Sequence, residues 1–145
     1  MKLASAAPLA ETFSFPVRVY YEDTDSGGVV YYANYLKFLE RARTEWLRAA
    51  SFEQPELVRN HNVIFMVRSV AIEYLLPARF NDTLKVTVQL EKIGSCTLDV
   101  FQTVERESRL IRARVQIVCI DNRDGFKPVR IPAFIRQQLE SASTA

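Results

Sequence analysis

The feature that most limits the possible folds is one stretch with the period of an amphipathic helix, at residues 31–50. Its apolar side chains recur at intervals of three and four residues, which places them on one helical face. They are Tyr32, Tyr35, Leu36, Leu39, Ala42, Trp46, Leu47 and Ala50. A helix with so broad an apolar face has to bury it against another element. The sequence therefore predicts one long helix packed on a large apolar surface.

Strand-like segments account for most of the remaining chain. Residues 13–21 predict a first strand, and four more follow the helix at residues 62–76, 84–91, 98–104 and 111–119. The 62–76 segment is apolar enough to predict a strand covered on both faces, whereas residues 84–91 alternate as a half-buried strand does. Short connections join these four strands in series, and consecutive strands joined in this way form an antiparallel sheet. A short helix is expected from Pro132 onward.

These elements predict an α+β fold in which a curved antiparallel β-sheet surrounds one long central helix. We expect a single domain at residues 13–141, preceded by a flexible N-terminus at residues 1–12. The 145 residues are 48% hydrophobic and 25% charged, as in globular proteins, and no segment approaches the ~20 apolar residues of a membrane-spanning helix. The sequence predicts a cytoplasmic protein.

Charge and cysteine content restrict the partners. A formal net charge of +2 argues against a nucleic-acid-binding protein, which would need a concentrated basic face. Cys96 and Cys119 show neither CxxC nor Cys/His spacing, so no metal site is expected. Both lie in strand-like segments, which favours buried, reduced thiols.

An acidic, glycine-rich segment, EDTDSGG at residues 22–28, lies directly before the predicted helix. It is not a calcium loop, because a loop that begins at Asp23 would need a glutamate where the sequence has Asn34. The aspartyl-phosphate signature of haloacid-dehalogenase-like phosphatases is closer, but Gly27 stands where that signature needs Thr or Val. Few strand–helix repeats follow to build a parallel sheet, so phosphoryl transfer is disfavoured.

Two interpretations of this segment remain open from the residues alone. In the structural one, Asp23 and Asp25 cap the helix or form an Asx turn, and the glycines allow the chain to bend. In the functional one, the helix N-terminus offers unpaired N–H groups to a developing oxyanion. Gly27 and Gly28 would then let a substrate approach the backbone, beside a carboxylate that attacks or activates water. Acyl transfer needs both of these parts.

The segment VRVYYEDTDSGGVVYYANYLKFLERARTEWL strongly resembles hotdog-fold acyl-CoA thioesterases of the 4-hydroxybenzoyl-CoA thioesterase group. Within that group it is most similar to the YbgC type, which is associated with the Tol-Pal cell-envelope system. FMVRSVAIEYLLPARFNDTL and KPVRIPAFI extend the resemblance over nearly the whole chain from about Phe15. It implies a hotdog fold, hydrolysis of an acyl-CoA to a free acid and CoA without a cofactor, and a homodimer or homotetramer with active sites between subunits. Acyl carrier protein is a further candidate partner.

The resemblance also implies the catalytic groups. The second aspartate of the E-D-x-D motif is Asp25, the expected nucleophile or general base. The backbone N–H near Tyr32 is expected to polarise the thioester carbonyl. YbgC-type members usually have histidine at the position of Tyr32, so this residue departs from the pattern and leaves the exact substrate open.

Further candidates are weighed on their chemistry. Gly27 and Gly28 are predicted to contact substrate, as is Arg68, which interrupts an apolar strand and alternatively forms an ion pair across an interface. Lys92 is predicted to bind CoA phosphates, and Lys127 and Arg130 are further cations near strand ends. Two other functions stay open: a non-catalytic acyl-binding module on the same fold, and a dehydratase, which would need His61, the single histidine.

Overall fold

Three α-helices and five β-strands make up the part of the chain that the computed structural model describes, residues 12–123 and 125–144, with side chains described as far as Ser141. In chain order they are β1 (Phe13–Arg18), α1 (Tyr35–Ala49), α2 (Gln54–His61), β2 (Val63–Tyr74), β3 (Thr83–Ile93), β4 (Thr97–Glu105), β5 (Arg109–Asp121) and α3 (Ala133–Thr144). Two short 3₁₀ turns, Tyr21–Asp23 and Tyr32–Asn34, lie between β1 and α1. The predicted flexible N-terminus falls outside the described residues except for Thr12, which accepts a hydrogen bond from Gln89.

The five strands form one antiparallel sheet in the order β1-β3-β4-β5-β2. The β3-β4-β5 segment is the predicted series of neighbours. The expectation that the strand at 62–76 precedes them in the same series is wrong, because β2 pairs with β5 at the opposite edge. Residues 75–82 carry the chain across the end of the sheet, where Leu75 N–H donates to Leu110 O and Asn81 N–H donates to Val19 O.

The two ends of the sheet carry different connections, and they are called the near end and the far end. At the near end, Arg18 pairs with Thr83 and Tyr74 pairs with Ile111. At the far end, Ile93 pairs with Leu98. Residues 20–34 and 75–82 lie at the near end, whereas α3 and the β3–β4 turn lie at the far end, where Ile131 N–H donates to Ser95 O.

Helix α1 packs on the sheet, as its apolar face predicts, against β1, β3 and β4. Its start differs from the prediction, because residues 32–34 form a 3₁₀ turn and the α-helix begins at Tyr35. A 3₁₀ turn has three residues per turn, so Tyr32 leaves the buried face and is exposed. Phe38, absent from the predicted apolar set, is fully buried, since it lies three residues after Tyr35 on the same face.

A buried amide joins this helix to the sheet. Gln102 on β4 donates from Nε2 to Leu39 O at 3.1 Å and to Thr87 O at 3.2 Å, and its Oε1 accepts a hydrogen bond from Arg43 Nη1 at 3.0 Å. Burial lowers the pKa of the Arg43 guanidinium, and the charge of Glu40 opposes this effect only in part. The amide satisfies polar groups that would otherwise be buried without partners, which fixes the depth of α1 on the sheet.

Strand β2 is less covered than its apolar sequence predicts. It is an edge strand, and its central side chains Met66, Val67 and Val70 are 46%, 44% and 38% exposed. The expectation of a strand covered on both faces is therefore wrong for the single chain. Periodicity shows that a strand is apolar on both sides but does not show whether its own chain supplies the cover.

The connection at residues 75–82 is held by one carboxylate. Asp82 Oδ2 accepts hydrogen bonds from Arg79 N–H at 2.8 Å and from Arg106 Nη1 at 2.6 Å. Burial acts to raise the pKa of Asp82, but these two donors outweigh it and hold the pKa below its ordinary value of 3.8. The carboxylate is thus charged at neutral pH and orders the turn beside the helix start.

Candidate active site

The acidic segment forms a small β-hairpin at the near end of the sheet. Thr24 and Val30 make an antiparallel bridge, and Asp25 N–H donates to Val29 O at 2.9 Å. Gly28 N–H closes the turn on Asp25 O at 3.1 Å, and Gly28 has φ +80°, which glycine adopts without strain. Gly27 and Gly28 therefore shape the tip of this hairpin, and the strand from Val29 returns the chain to the start of the helix.

Asp25 is exposed at the base of this tip. Its Oδ1 accepts a hydrogen bond from Gly27 N–H at 2.8 Å, so the Asx turn of the structural interpretation is present. Among the described residues, no side chain or N–H donates to its other oxygen, Oδ2. One oxygen thus orients the carboxylate while the other stays open to substrate or water.

Asp23 lies two residues away but has a different environment. It is 5% exposed, and its Oδ2 accepts from Tyr20 N–H at 2.8 Å while its Oδ1 accepts from Asn34 Nδ2 at 2.9 Å. Its carbonyl oxygen also accepts from Tyr31 N–H at 3.0 Å. Both carboxylate oxygens are therefore engaged, and Asp23 ties the base of the hairpin to the first turn of the helix.

The helix start leaves two backbone donors free. Tyr31 N–H is bound to Asp23 O, and Asn34 N–H donates to Tyr31 O at 2.8 Å. Between them, the N–H groups of Tyr32 and Ala33 have no acceptor within residues 12–123 and 125–144. Unpaired donors at a helix N-terminus, reinforced by the helix dipole, favour an anion or a polarised carbonyl oxygen.

An apolar cavity of about 250 Å³ lies against Tyr32, the residue that carries the first of these donors. It is lined by Val30, Tyr32, Tyr35, Tyr74, Leu75, Leu76 and Pro77. The carboxylate, the free N–H groups and an apolar wall are the parts that hydrolysis of an acyl group requires. Within the described residues, no group of three or more His, Cys, Asp or Glu side chains is placed to hold a metal ion.

The structure brings together only part of the predicted residue set. Asp25, Gly27, Gly28 and Tyr32 all lie at the near end, in the hairpin and the 3₁₀ turn that follows it. Arg68 lies mid-strand on β2, six residues or ~20 Å before Tyr74.

The other candidates lie at the far end. Lys92 is close to the end of β3, ~27 Å along that strand from Leu84. Lys127 is held at the end of β5, where Asp121 N–H donates to its carbonyl oxygen. His61 ends α2, and its ring lies 4.5 Å from that of Phe134. No single chain therefore places His61, Lys92 or Lys127 beside Asp25.

Residues not identified from the sequence also contribute to the site. Asn34 immediately precedes α1, a position where asparagine commonly caps a helix, so a sequence signal existed. Here its side chain bonds to Asp23 instead of capping. Tyr74 lies at the end of β2 and reaches the helix start, and nothing in the local pattern of that strand indicates this contact.

Comparison with known proteins identifies the family of this chain. The profile of the thioesterase-like superfamily matches residues 19–139. The chain belongs to this superfamily. Relatives named acyl-CoA thioesterase YbgC in Haemophilus influenzae and acyl-CoA thioester hydrolase YbgC in Escherichia coli are 42% and 44% identical to it. Each match spans 125 residues, covering 86% and 85% of this chain and 91% and 92% of the relative.

A solved thioesterase-like structure supports the same assignment. A probable thioesterase from Bartonella henselae superposes with a TM-score of 0.79 at 34% identity, covering 83% of this chain and 99% of that protein. The predicted hotdog fold and the predicted family are confirmed. The protein is a thioester hydrolase. None of the helices in its described part has the length and apolar character that crossing a bilayer requires.

Proposed function

We propose that this thioesterase hydrolyses acyl-CoA thioesters to a free acid and CoA, with Asp25 as the catalytic carboxylate and the N–H of Tyr32 as the donor to the thioester oxygen. The observation that carries the proposal is one open carboxylate oxygen on Asp25 in the hairpin that leads directly to the unpaired N–H groups of Tyr32 and Ala33. The names of its YbgC relatives supply the substrate class.

The chemistry follows from these groups. Hydrogen bonds at the helix start stabilise negative charge as it develops on the carbonyl oxygen. Asp25 then attacks the carbonyl carbon, and the CoA thiolate leaves a mixed anhydride that water hydrolyses. Alternatively, Asp25 takes a proton from water as that water attacks the same carbon. In both routes one water is consumed, its oxygen ends in a carboxyl group, and the thiolate is protonated.

The phenol of Tyr32 has no step in either route. Tyr32 is 63% exposed, and the proposed contribution of this residue is its backbone N–H. A Tyr32→Phe variant therefore retains wild-type kcat within about twofold, because it keeps that N–H. A collapse of kcat in this variant would show that the phenol itself takes part.

The open edge of β2 supports a homodimer. A twelve-residue edge strand without proline, carrying exposed apolar side chains, is a template for pairing with a second strand. Antiparallel pairing of two β2 edges would bring Arg68 to the interface. It would also bring the far end of the partner subunit toward the near end of this one. The Lys92 side chain of the partner subunit would then bind the CoA phosphates at this site. Sedimentation analysis should therefore give a dimer or a tetramer, and a fully active monomer would contradict this pairing.

Asp25→Asn tests the catalytic assignment without disturbing the hairpin, because an asparagine oxygen can still accept the hydrogen bond from Gly27 N–H. Thiol release over a panel of acyl-CoAs should show kcat about a thousandfold lower in this variant, with substrate binding retained. Glu22→Gln is the matched control, since Glu22 is an exposed carboxylate in the same segment. Wild-type hydrolysis by Asp25→Asn would remove Asp25 from the mechanism.

The same panel distinguishes the alternative function. A non-catalytic acyl-binding module would bind acyl-CoA with no thiol release by the wild-type protein. The exposed Asp25 carboxylate favours the enzyme, because a binding module has no need for an open acid beside the carbonyl site. Acyl carrier protein as a second carrier and a cytoplasmic location remain predictions, and an acyl-carrier-protein thioester added to the panel tests the first.

A further inference from the structure

We infer that Tyr74 is a positioning residue for this hydrolysis: its hydroxyl holds the peptide between Tyr32 and Ala33, so that the Ala33 N–H becomes a second donor to the thioester oxygen beside the N–H of Tyr32. The inference rests on the proposed function and adds to it a residue from a distant strand. Tyr74 acts through the backbone and does not itself touch the reacting atoms.

The supporting contact is a long-range hydrogen bond. Tyr74 Oη donates to the carbonyl oxygen of Tyr32 at 3.1 Å, across 42 positions of sequence. That carbonyl belongs to the peptide unit whose N–H is that of Ala33, one of the two free donors. A hydrogen bond to the oxygen of a peptide fixes the plane of that peptide and also polarises its N–H, which makes it a better donor.

The first turn needs such support. Residues 32–34 form a 3₁₀ turn, in which hydrogen-bond geometry is poorer than in an α-helix. Neither Tyr31 nor Asn34 caps it with a side-chain hydrogen bond to the helix backbone, because the Asn34 amide is committed to Asp23. Tyr74 thus holds the turn through the carbonyl oxygen of Tyr32, and Asp23 holds it through the side chain of Asn34.

Tyr74 is itself held in place by aromatic neighbours. Its ring meets those of Tyr32 and Tyr35 edge-on, at centroid separations of 6.3 and 5.8 Å. Tyr35 is buried, and its hydroxyl accepts a hydrogen bond from Ala78 N–H at 2.9 Å, which anchors this second ring. Partial burial, followed by the proximity of Tyr32, raises the pKa of Tyr74, so its hydroxyl keeps the proton that it donates.

Tyr74→Phe removes only the hydroxyl and keeps the ring contacts. Complete removal of an oxyanion donor costs about 10²–10³ in kcat, and loss of orientation alone should cost less, so we expect kcat to fall about tenfold with KM changed less than about twofold. Tyr21→Phe is the matched control. Its hydroxyl has no partner among the described residues, and its ring stacks on Phe80 at 3.7 Å, so its kinetics should equal those of the wild type.

A spectroscopic readout separates orientation from general loosening. The ¹⁵N shift of an amide responds to hydrogen bonding at the preceding carbonyl, so Tyr74→Phe should move the Ala33 amide resonance while resonances of β3 and β4 stay in place. An unchanged kcat, an unchanged Ala33 resonance, a rise in KM alone, or a rate loss equal to the loss of folded protein would each overturn the inference.

Failure of this inference can be distinguished from failure of the proposed function. If Asp25→Asn is inactive and Tyr74→Phe behaves as the wild type, the catalytic assignment stands and the positioning role fails. If Asp25→Asn hydrolyses normally, the proposed function fails whatever Tyr74→Phe does.

Discussion

Replacement of Asp23 should lower the stability of the fold strongly, whereas replacement of Asp25 should lower kcat and leave stability nearly unchanged. The two carboxylates are two residues apart, yet Asp23 is buried with both oxygens engaged and Asp25 is exposed with one oxygen open. Asp23→Ala deletes the acceptor for both Tyr20 N–H and Asn34 Nδ2 and leaves these donors without a partner.

The cost follows from the number of donors that each substitution leaves unpaired. An unsatisfied buried donor costs about 1–3 kcal/mol, so Asp23→Ala should lower the free energy of unfolding by about 4 kcal/mol. Asp23→Asn should cost only about 1.5 kcal/mol, because a flipped Asn34 amide can accept from the new side-chain NH₂ while Tyr20 N–H keeps its acceptor. For a chain of this size these losses correspond to about 12 °C and about 5 °C in Tm.

Urea denaturation followed by far-UV circular dichroism measures both losses, at one fixed protomer concentration because association also stabilises the folded state. Asp25→Asn is the comparison and should unfold within about 0.5 kcal/mol of the wild type, since its Asx turn survives. kcat is then measured well below the lowest Tm. If Asp23→Ala unfolds within about 1 kcal/mol of the wild type, the hydrogen bonds of Asp23 do not hold the hairpin to the helix.

The remaining predictions concern the hairpin tip, a thiol and a turn. Gly28→Ala should lower the free energy of unfolding by about 1 kcal/mol, because Gly28 has φ +80°. Gly27→Ala should act mainly on kcat, because its Cβ would lie 3.2 Å from Asp25 Oδ1. Cys119 should resist iodoacetamide at pH 8 until the protein unfolds, because burial raises the pKa of its thiol to about 11 and leaves about one thiolate per thousand. Asp82 should contribute stability that is complete above its unfolded pKa and lost as the pH falls through its lower folded pKa, so Asp82→Asn should flatten the acid limb of a stability–pH curve. Acid sensitivity equal to the wild type in Asp82→Asn, or rapid labelling of Cys119 in the folded protein, would contradict these assignments.

The parts of the fold that were predicted correctly are those set by local pattern. The α1 helix and the β3-β4-β5 meander follow from periodicity and turn residues, which act over a few positions. The periodicity places the helix start too early, because Asp23 and Tyr74 hold residues 32–34 in a 3₁₀ turn through contacts that a local pattern does not show. The predicted burial of both faces of β2 is wrong for the single chain. An apolar strand has the same sequence pattern whether a helix, a neighbouring strand or a second chain covers it.

The site divides in the same way. The residues alone show only that two aspartates, two glycines and a helix start lie within ten residues of one another, and the family resemblance is what singles out Asp25 and Tyr32. Arg68 and Lys92 could not be placed, since their distance from Asp25 depends on strand order. Tyr74 could not be proposed at all, because its role rests on one hydrogen bond between residues far apart in sequence.

The position of β2 at the sheet edge also has a consequence during synthesis. Its neighbour within the chain is β5, which begins only at Arg109, so the apolar strand leaves the ribosome well before any strand of its own chain can pair with it. Arg68 divides its sequence into VIFMV and SVAI, and a charge within such an apolar segment opposes aggregation of unfolded chains. We therefore expect Arg68→Val to reduce the soluble fraction of newly made protein at 37 °C more than it reduces the stability of the purified enzyme. On this account Arg68 protects the nascent chain, whatever it contributes later at the interface.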